Sequence, residues 1–405
     1  MAYTLISLVG TGWYKDDGYE KINYIFSDKE EIESSIFIKA LLKKKYRDFS
    51  KIILLGTITS GWDLFLEDDI NLWTEIKEKR ENATLKCEDF QKIQTYIESE
   101  LGIPVVIKYH TDKVDSDTSL EIFNIYNSII PEITDENILF DVTHGFRSMP
   151  ILLYQALQFS ISQNPNIKNI ELVYGELKGE KKPAYVRDLS NYWRYSQISD
   201  ALFVFKEKLD GFKLAELIES YWLDGAKCIK KISEIVQTNF SLQITEVIRN
   251  IKNVLKRNAD NIPQWQNEIE RVLSEFLPIL DEKSESKTLY NFAQFLYSKK
   301  LNIQAIIALQ ISVEVAIAEK IGCKENIGDY DWWQETGKQR LKCIKDTDSE
   351  LRDKLNRLEA IRNQVAHGGA KGKYTKGFPQ AANIPNIFES SKIGVEKFFK
   401  ALKEE

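Results

Sequence analysis

Hydrophobic periodicity changes near residue 190, and that change limits the folds open to the chain. Before it, short apolar runs alternate with segments of helical period. Runs at 4–9, 22–26, 51–55, 105–108, 138–142, 170–174 and 184–186 read as strands, the last two as a terminal hairpin. Segments 34–46, 88–101, 119–130 and 148–162 read as helices. The runs Ile52–Leu55 and Ile138–Phe140 have no polar face, which suits strands buried on both sides. Such alternation predicts a Rossmann-like α/β domain, a mainly parallel sheet with helices on both faces.

After residue 190 the strand pattern stops. Helical periodicity follows at 198–209, 213–236, 241–257, 262–280, 287–299, 302–320, 336–345, 349–367 and 390–403. The second half therefore reads as an all-α domain. The expected division is 1–190 and 191–405, consistent with a chain of 405 residues.

The net charge of −6 argues against a wholesale binder of duplex nucleic acid, but leaves room for a local basic cleft that handles single-stranded RNA. The cysteines (Cys87, Cys228, Cys323 and Cys343) form no CxxC pair and read as free thiols of a reducing compartment. The N-terminal segment lacks a basic region followed by a cleavage site, and no apolar run has membrane-spanning length. A cytoplasmic protein without membrane contact is expected.

Three segments of the first half share one design, a buried strand followed by a turn of Gly, Thr and Ser. They are Val9-Gly10-Thr11-Gly12, Gly56-Thr57-Ile58-Thr59-Ser60-Gly61, and Asp141-Val142-Thr143-His144-Gly145-Phe146-Arg147-Ser148. In open α/β sheets the carboxyl ends of parallel strands form the ligand crevice. Glycine lets backbone approach a ligand, hydroxyls and helix N-termini take phosphate, and Arg147 supplies a guanidinium fork. The three turns together predict a phosphate-bearing ligand. Neither GxGxxG nor GxxxxGK[ST] occurs, so a dinucleotide cofactor or a P-loop nucleotide is not supported. Asp141 is expected to hold its turn. His144 is open to a second reading, a capping or core histidine.

The string DVTHGFRSMP at 141–150 resembles the signature of CARF domains, the ligand sensors of type III CRISPR-associated proteins. The resemblance implies a cyclic oligoadenylate activator, with cyclic tetraadenylate favoured, bound across the two-fold axis of a homodimer. Carried over by position, it places Gly10, Thr11, Thr57, Ser60, Thr143, His144, Gly145, Arg147 and Ser148 at the ligand.

In the second half, Leu351, Leu355, Leu358 and Val365 form an apolar helical stripe whose missing member reads as Arg362. A charge on an apolar seam is costly unless paired or functional. Glu314 of the apolar run 310–319 is expected to face inward and pair with a basic residue there. Asn363 and His367, four apart, share a helix face, whereas Arg362 and His367, five apart, do not. Catalysis by both from one straight helix therefore needs distortion at Gly368 or a second copy of the helix. Histidine is the side chain suited to proton transfer near neutral pH, and a guanidinium can hold the charge of a phosphorane-like transition state.

The string RNQVAHGG at 362–369 resembles the Arg-x₄₋₆-His motif of HEPN ribonucleases. With the CARF-like first half, it implies an ancillary endoribonuclease of type III CRISPR systems. Arg362, Asn363 and His367 would cleave single-stranded RNA at a composite site shared by two protomers. No metal and no cofactor are called for, and the products would carry 2′,3′-cyclic phosphate and 5′-hydroxyl ends. The alternative is a non-catalytic CARF sensor whose helical domain binds RNA or a protein partner. The tryptophans, Trp332 and Trp333 included, read as core or interface. Lys371, Lys373, Tyr374 and Lys376 form either an RNA-phosphate contact or a solvated loop.

Overall fold

The computed structural model describes residues 2–12, 14–15, 18–113, 115–145, 148–161, 164, 166–177, 183–257, 263–366 and 383–404. The chain divides into two units, Met1–Arg194 and Tyr195–Glu405.

The first unit carries strands β1 (Ala2–Leu8), β2 (Tyr14–Lys15), β3 (Gly18–Tyr19), β4 (Ile22–Ile25), β5 (Glu31–Ser34), β6 (Asp48–Thr57), β7 (Val105–His110), β8 (Asn137–Asp141), β9 (Asn169–Leu177) and β10 (Ala184–Asp188). Its helices are α1 (Phe37–Lys44), α2 (Ile70–Glu81), α3 (Cys87–Leu101), α4 (Ser119–Asn127) and α5 (Ser148–Ile161). The main sheet has the order β5-β4-β10-β9-β8-β1-β6-β7. Strands β9, β8, β1, β6 and β7 run parallel, β10 is antiparallel to β9, and β5 is antiparallel to β4.

Period two along the strands explains the two-sided burial. Leu5, Ile52, Leu54 and Leu139 join Phe37, Leu41, Phe90 and Ile93 of α1 and α3 in one cluster. Their neighbours Ile6, Ile53, Leu55, Ile138 and Phe140 join Ile122, Leu153 and Leu157 of α4 and α5 in another. Each such aliphatic side chain contributes about 1.5–3 kcal/mol when fully buried. The chain builds outward from β1 through β6 to β7 and then returns to place β8 on the other flank of β1. That reversal makes the carboxyl ends of β1 and β8 a topological switch point, the usual place for a ligand crevice.

Periodicity did not reveal α2. Only Ile76 of that helix is buried, so it has no apolar stripe; its start is fixed by Asp69, whose side chain accepts from the N–H groups of Asn71 and Leu72.

The second unit is helical. Its elements are α6 (Ser190–Lys208, spanning the division), α7 (Phe212–Ile218), α8 (Leu223–Thr238), α9 (Ile244–Leu255), α10 (Gln264–Ser274), α11 (Glu285–Ser298), α12 (Asn302–Ile321), α13 (Tyr330–Trp332), α14 (Lys338–Thr347), α15 (Ser349–Ala366) and α16 (Ile384–Glu404). A π-helical turn at Trp333–Gly337 precedes α14. The single helix expected over 213–236 is broken between α7 and α8, where the Trp222 ring folds over Gly225, a Cβ at which would stand 2.2 Å from it. Helix α12 is long and apolar enough to cross a membrane by composition. Here it is a core helix: Ala305, Leu309, Val313 and Ile317 are buried among residues of α11, α15 and α16.

Candidate ligand and RNA sites

The turns that follow β1, β6 and β8 surround one cavity of about 300 Å³. Gly10, Thr11, Thr57, Ser60, Thr143, His144 and Gly145 all line it. Ser148, the first residue of α5, does not. Arg147 lies outside the described residues. Tyr24, Ser35 and Tyr174 also line it, brought there by β4, the link from β5 to α1, and β9. None of these carries a turn signature, so sequence reading had no signal for them.

Close packing explains the glycines. A Cβ on Gly10 would stand 2.9 Å from the His144 ring. One on Gly61 would stand 2.8 Å from the carbonyl oxygen of Gly10, whose oxygen also accepts the Gly61 N–H at 2.8 Å. The first two turns are thereby locked together. Gly145 has φ of 97°, a conformation that glycine adopts without strain.

Several predicted hydroxyls hold the frame itself. Ser60 Oγ accepts the Thr57 N–H at 2.9 Å, and Thr143 Oγ1 accepts the Gly175 N–H at 2.9 Å. Asp141 is fully buried, accepting from Thr143 N–H at 2.8 Å and from Ser7 Oγ–H at 2.7 Å, which makes it the anchor of its turn as expected. Burial pushes its carboxyl above the usual range. His144 Nε2 accepts the Phe37 N–H at 3.3 Å, at the start of α1. A ring nitrogen that accepts is unprotonated, so the imidazole is neutral with its proton on Nδ1. Burial lowers its pKa in the same sense, with Asp141 opposing. His144 thus caps α1, as its second reading expected, and also lines the cavity.

A second cavity, of about 470 Å³, lies in the helical unit. Gln310 and Glu314 of α12, Glu359, Arg362 and Asn363 of α15, and Trp332, Trp333 and Lys338 line it. Arg362 Nη1 donates to Asn363 Oδ1 at 2.9 Å, and its Nη2 stands 3.7 Å from Glu314 Oε1. That oxygen also accepts from Gln310 Nε2 at 3.1 Å. Burial raises the Glu314 carboxyl, while Gln310 and Arg362 hold it down. The expected pairing of Glu314 with a basic residue of α15 is therefore present.

The position of Arg362 corrects one expectation. The apolar seam of α15 runs through Leu351, Leu355, Leu358 and Ile361, all nearly inaccessible. Arg362 is the next residue, turned about 100° away, and its side chain is 39% exposed at the cavity. It does not interrupt the stripe. Trp332 and Trp333 pack partly on the core, as expected, and also line this cavity. His367 lies outside the described residues, as do Lys371, Lys373, Tyr374 and Lys376.

Residues 4–176 match the family model described as the CARF domain of the CRISPR system endoribonuclease Csx1. The chain is similar to the CRISPR-associated protein MJ1674 of Methanocaldococcus jannaschii, with 29% identity over 291 residues, covering 64% of this chain and 45% of that protein. The chain thus spans less than half the length of this relative. Among solved structures, Enterococcus italicus Csm6 bound to cyclic hexa-2′-fluoro-hexa-dAMP aligns with a TM-score of 0.40 and 12% identity, over 99% of this chain and 94% of that one.

Proposed function

With a Rossmann-like CARF domain at its N-terminus, we propose that this chain is a CRISPR-associated endoribonuclease activated by a cyclic oligoadenylate. The observation that carries the sensor half is the convergence of three Gly- and Thr-bearing turns on one cavity at the switch point of a parallel sheet. A volume of about 300 Å³ sits at the small end of ligand pockets. It suits part of a cyclic oligonucleotide, with a second protomer holding the rest. Arg147 falls in sequence between the lining residues Gly145 and Met149 and is assigned to the ligand phosphates.

The nuclease half rests on the cavity that holds Arg362 and Asn363, together with the sequence RNQVAHGG. In the proposed reaction His367 takes the proton from the attacking 2′-hydroxyl or gives a proton to the leaving 5′-oxygen. Arg362 carries the charge that builds on the phosphorane-like transition state, and Asn363 orients Arg362 through its Oδ1. The reaction needs no metal and leaves a 2′,3′-cyclic phosphate and a 5′-hydroxyl. One Arg–His set from each protomer completes the site, so the active species is a homodimer. Ligand binding shifts the population toward the arrangement in which the two sets act together, which requires tighter binding to that arrangement.

The test is cleavage of a fluorescent single-stranded RNA in EDTA, with cyclic tri-, tetra- and hexaadenylate compared. Activation by one ring size supports the reading, with the tetraadenylate expected. Arg147→Ala is expected to weaken activator binding; unchanged affinity removes Arg147 from the site. A rate unaffected by every ring size ends the sensor assignment.

A further inference from the structure

The second cavity holds more than a site for Arg362. Its floor is an acceptor: Glu314 comes from the middle of α12, next to Gln310, which is 4% exposed. Its lining includes Trp332 and Trp333, where the backbone passes into a π-helical turn. Lys338 and Arg362 add cations to the lining. Packing alone does not account for the carboxylate. A carboxylate accepts about four hydrogen bonds, and Gln310 supplies one N–H; Arg362 Nη2, at 3.7 Å, is beyond hydrogen-bond length. Among the described residues, that ion pair and one hydrogen bond leave the carboxylate oxygens room for further donors, on a side chain 23% exposed at the cavity, where an apolar residue of that size would pack at least as well.

We propose that the cavity formed by Gln310, Glu314 and Trp332 is a nucleobase pocket that selects guanine beside Arg362. Single-stranded RNA is read by stacking unpaired bases on aromatic rings and hydrogen-bonding their Watson–Crick edges. The guanine edge presents two adjacent donors, N1–H and the N2 amino group, which match the two oxygens of a carboxylate. Adenine and cytosine each place an acceptor beside their donor, and uracil has a single N–H donor between two acceptors. Those edges leave a Glu oxygen facing an acceptor. Arg362 and Lys338 are the groups for the adjoining phosphates, which position RNA without reading sequence. As a specificity site the proposal rests on the nuclease reading above; as a binding site it stands by itself.

Two measurements on the full chain separate these. The first is the affinity for guanosine, adenosine, cytidine and uridine monophosphates, by calorimetry or saturation-transfer NMR. Guanosine monophosphate is expected to bind about tenfold or more tighter than the pyrimidine nucleotides. The isosteric Glu314→Gln should erase that preference, and Trp332→Ala should weaken all four by about tenfold. Equal affinity of wild type for all four, or a preference that survives in E314Q, overturns the proposal. The second maps the cut sites in a mixed-sequence RNA. Enrichment of guanosine at the cut, lost in E314Q, supports it. A uniform loss of rate in E314Q with unchanged base ratios reduces Glu314 to a residue that positions Arg362, and overturns it. If no RNA is cut, the nuclease reading fails, and nucleotide binding still decides the pocket.

Discussion

His144 and Phe37 are joined by a hydrogen bond at the wall of the first cavity, Nε2 accepting the Phe37 N–H at 3.3 Å. The turn after β8 is thereby tied to the first residue of α1, whose N-cap residue Ile36 supplies no side-chain hydrogen bond of its own. His144→Ala leaves that N–H without its acceptor. A lost hydrogen bond of this kind costs about 1–2 kcal/mol, so the Phe37 amide should exchange with solvent roughly tenfold faster in the variant. Unchanged exchange would show that the contact does not hold the helix start.

Both described histidines should titrate low. His110 is 3% exposed, donates from Nδ1 to the Thr111 carbonyl and accepts from the Tyr126 hydroxyl at Nε2. Burial lowers its pKa below 6.5, as it does for His144. For a histidine whose folded pKa lies below the unfolded value, the stability contribution is complete above about pH 6.5 and is lost as pH falls through the window beneath it, because the unfolded state then binds more protons. Asp141, raised by burial, works in the opposite sense, being favourable at low pH and losing its contribution as pH rises. The two signs are separated by reading each imidazole by NMR. Midpoints below 6.5 for His110 and His144 are expected, and a midpoint at or above 6.5 for either would contradict the neutral assignment.

Gly10→Ala tests the packing of the ligand turn. The added Cβ, 2.9 Å from the His144 ring, must displace that ring. Activator affinity should fall by about tenfold or more, with a stability loss of about 1–3 kcal/mol. Ligand binding equal to that of wild type would mean that this wall of the cavity yields freely.

Much of this architecture was legible because the first sheet is buried on both faces. Ile52–Leu55 and Ile138–Phe140 announce their strands by lacking any polar side, and the Gly-Thr turns that follow mark the strand ends that meet at the cavity. What periodicity could not show was long-range. Tyr24, Ser35 and Tyr174 reach the cavity only through sheet order, and α2 buries too little to leave a pattern. The stripe on α15 misled by one position, because Ile361 fills the seam and frees Arg362 for the second cavity. The α12 carboxylate was foreseen as a partner for α15, but its company of Trp332 and Trp333 depends on the irregular turn at 333–337, which no simple period encodes.

Arg362→Ala should lower the RNA cleavage rate by about 10²–10³-fold, the range typical of losing one group that stabilises transition-state charge. Activator affinity should be unchanged, since Arg362 lines the cavity of the helical unit and not that of the first unit. Loss of activator binding together with activity would instead assign Arg362 a structural role.

The central claim is ligand-gated, metal-independent RNA cleavage. It is tested most directly by following cleavage of single-stranded RNA in EDTA, with and without cyclic tetraadenylate, for wild type beside His367→Ala. The account predicts cleavage by wild type that rises steeply with the ligand, ends in 2′,3′-cyclic phosphate, and vanishes in the variant. Cleavage by His367→Ala at the wild-type rate, or a wild-type rate indifferent to every cyclic oligoadenylate, would contradict it.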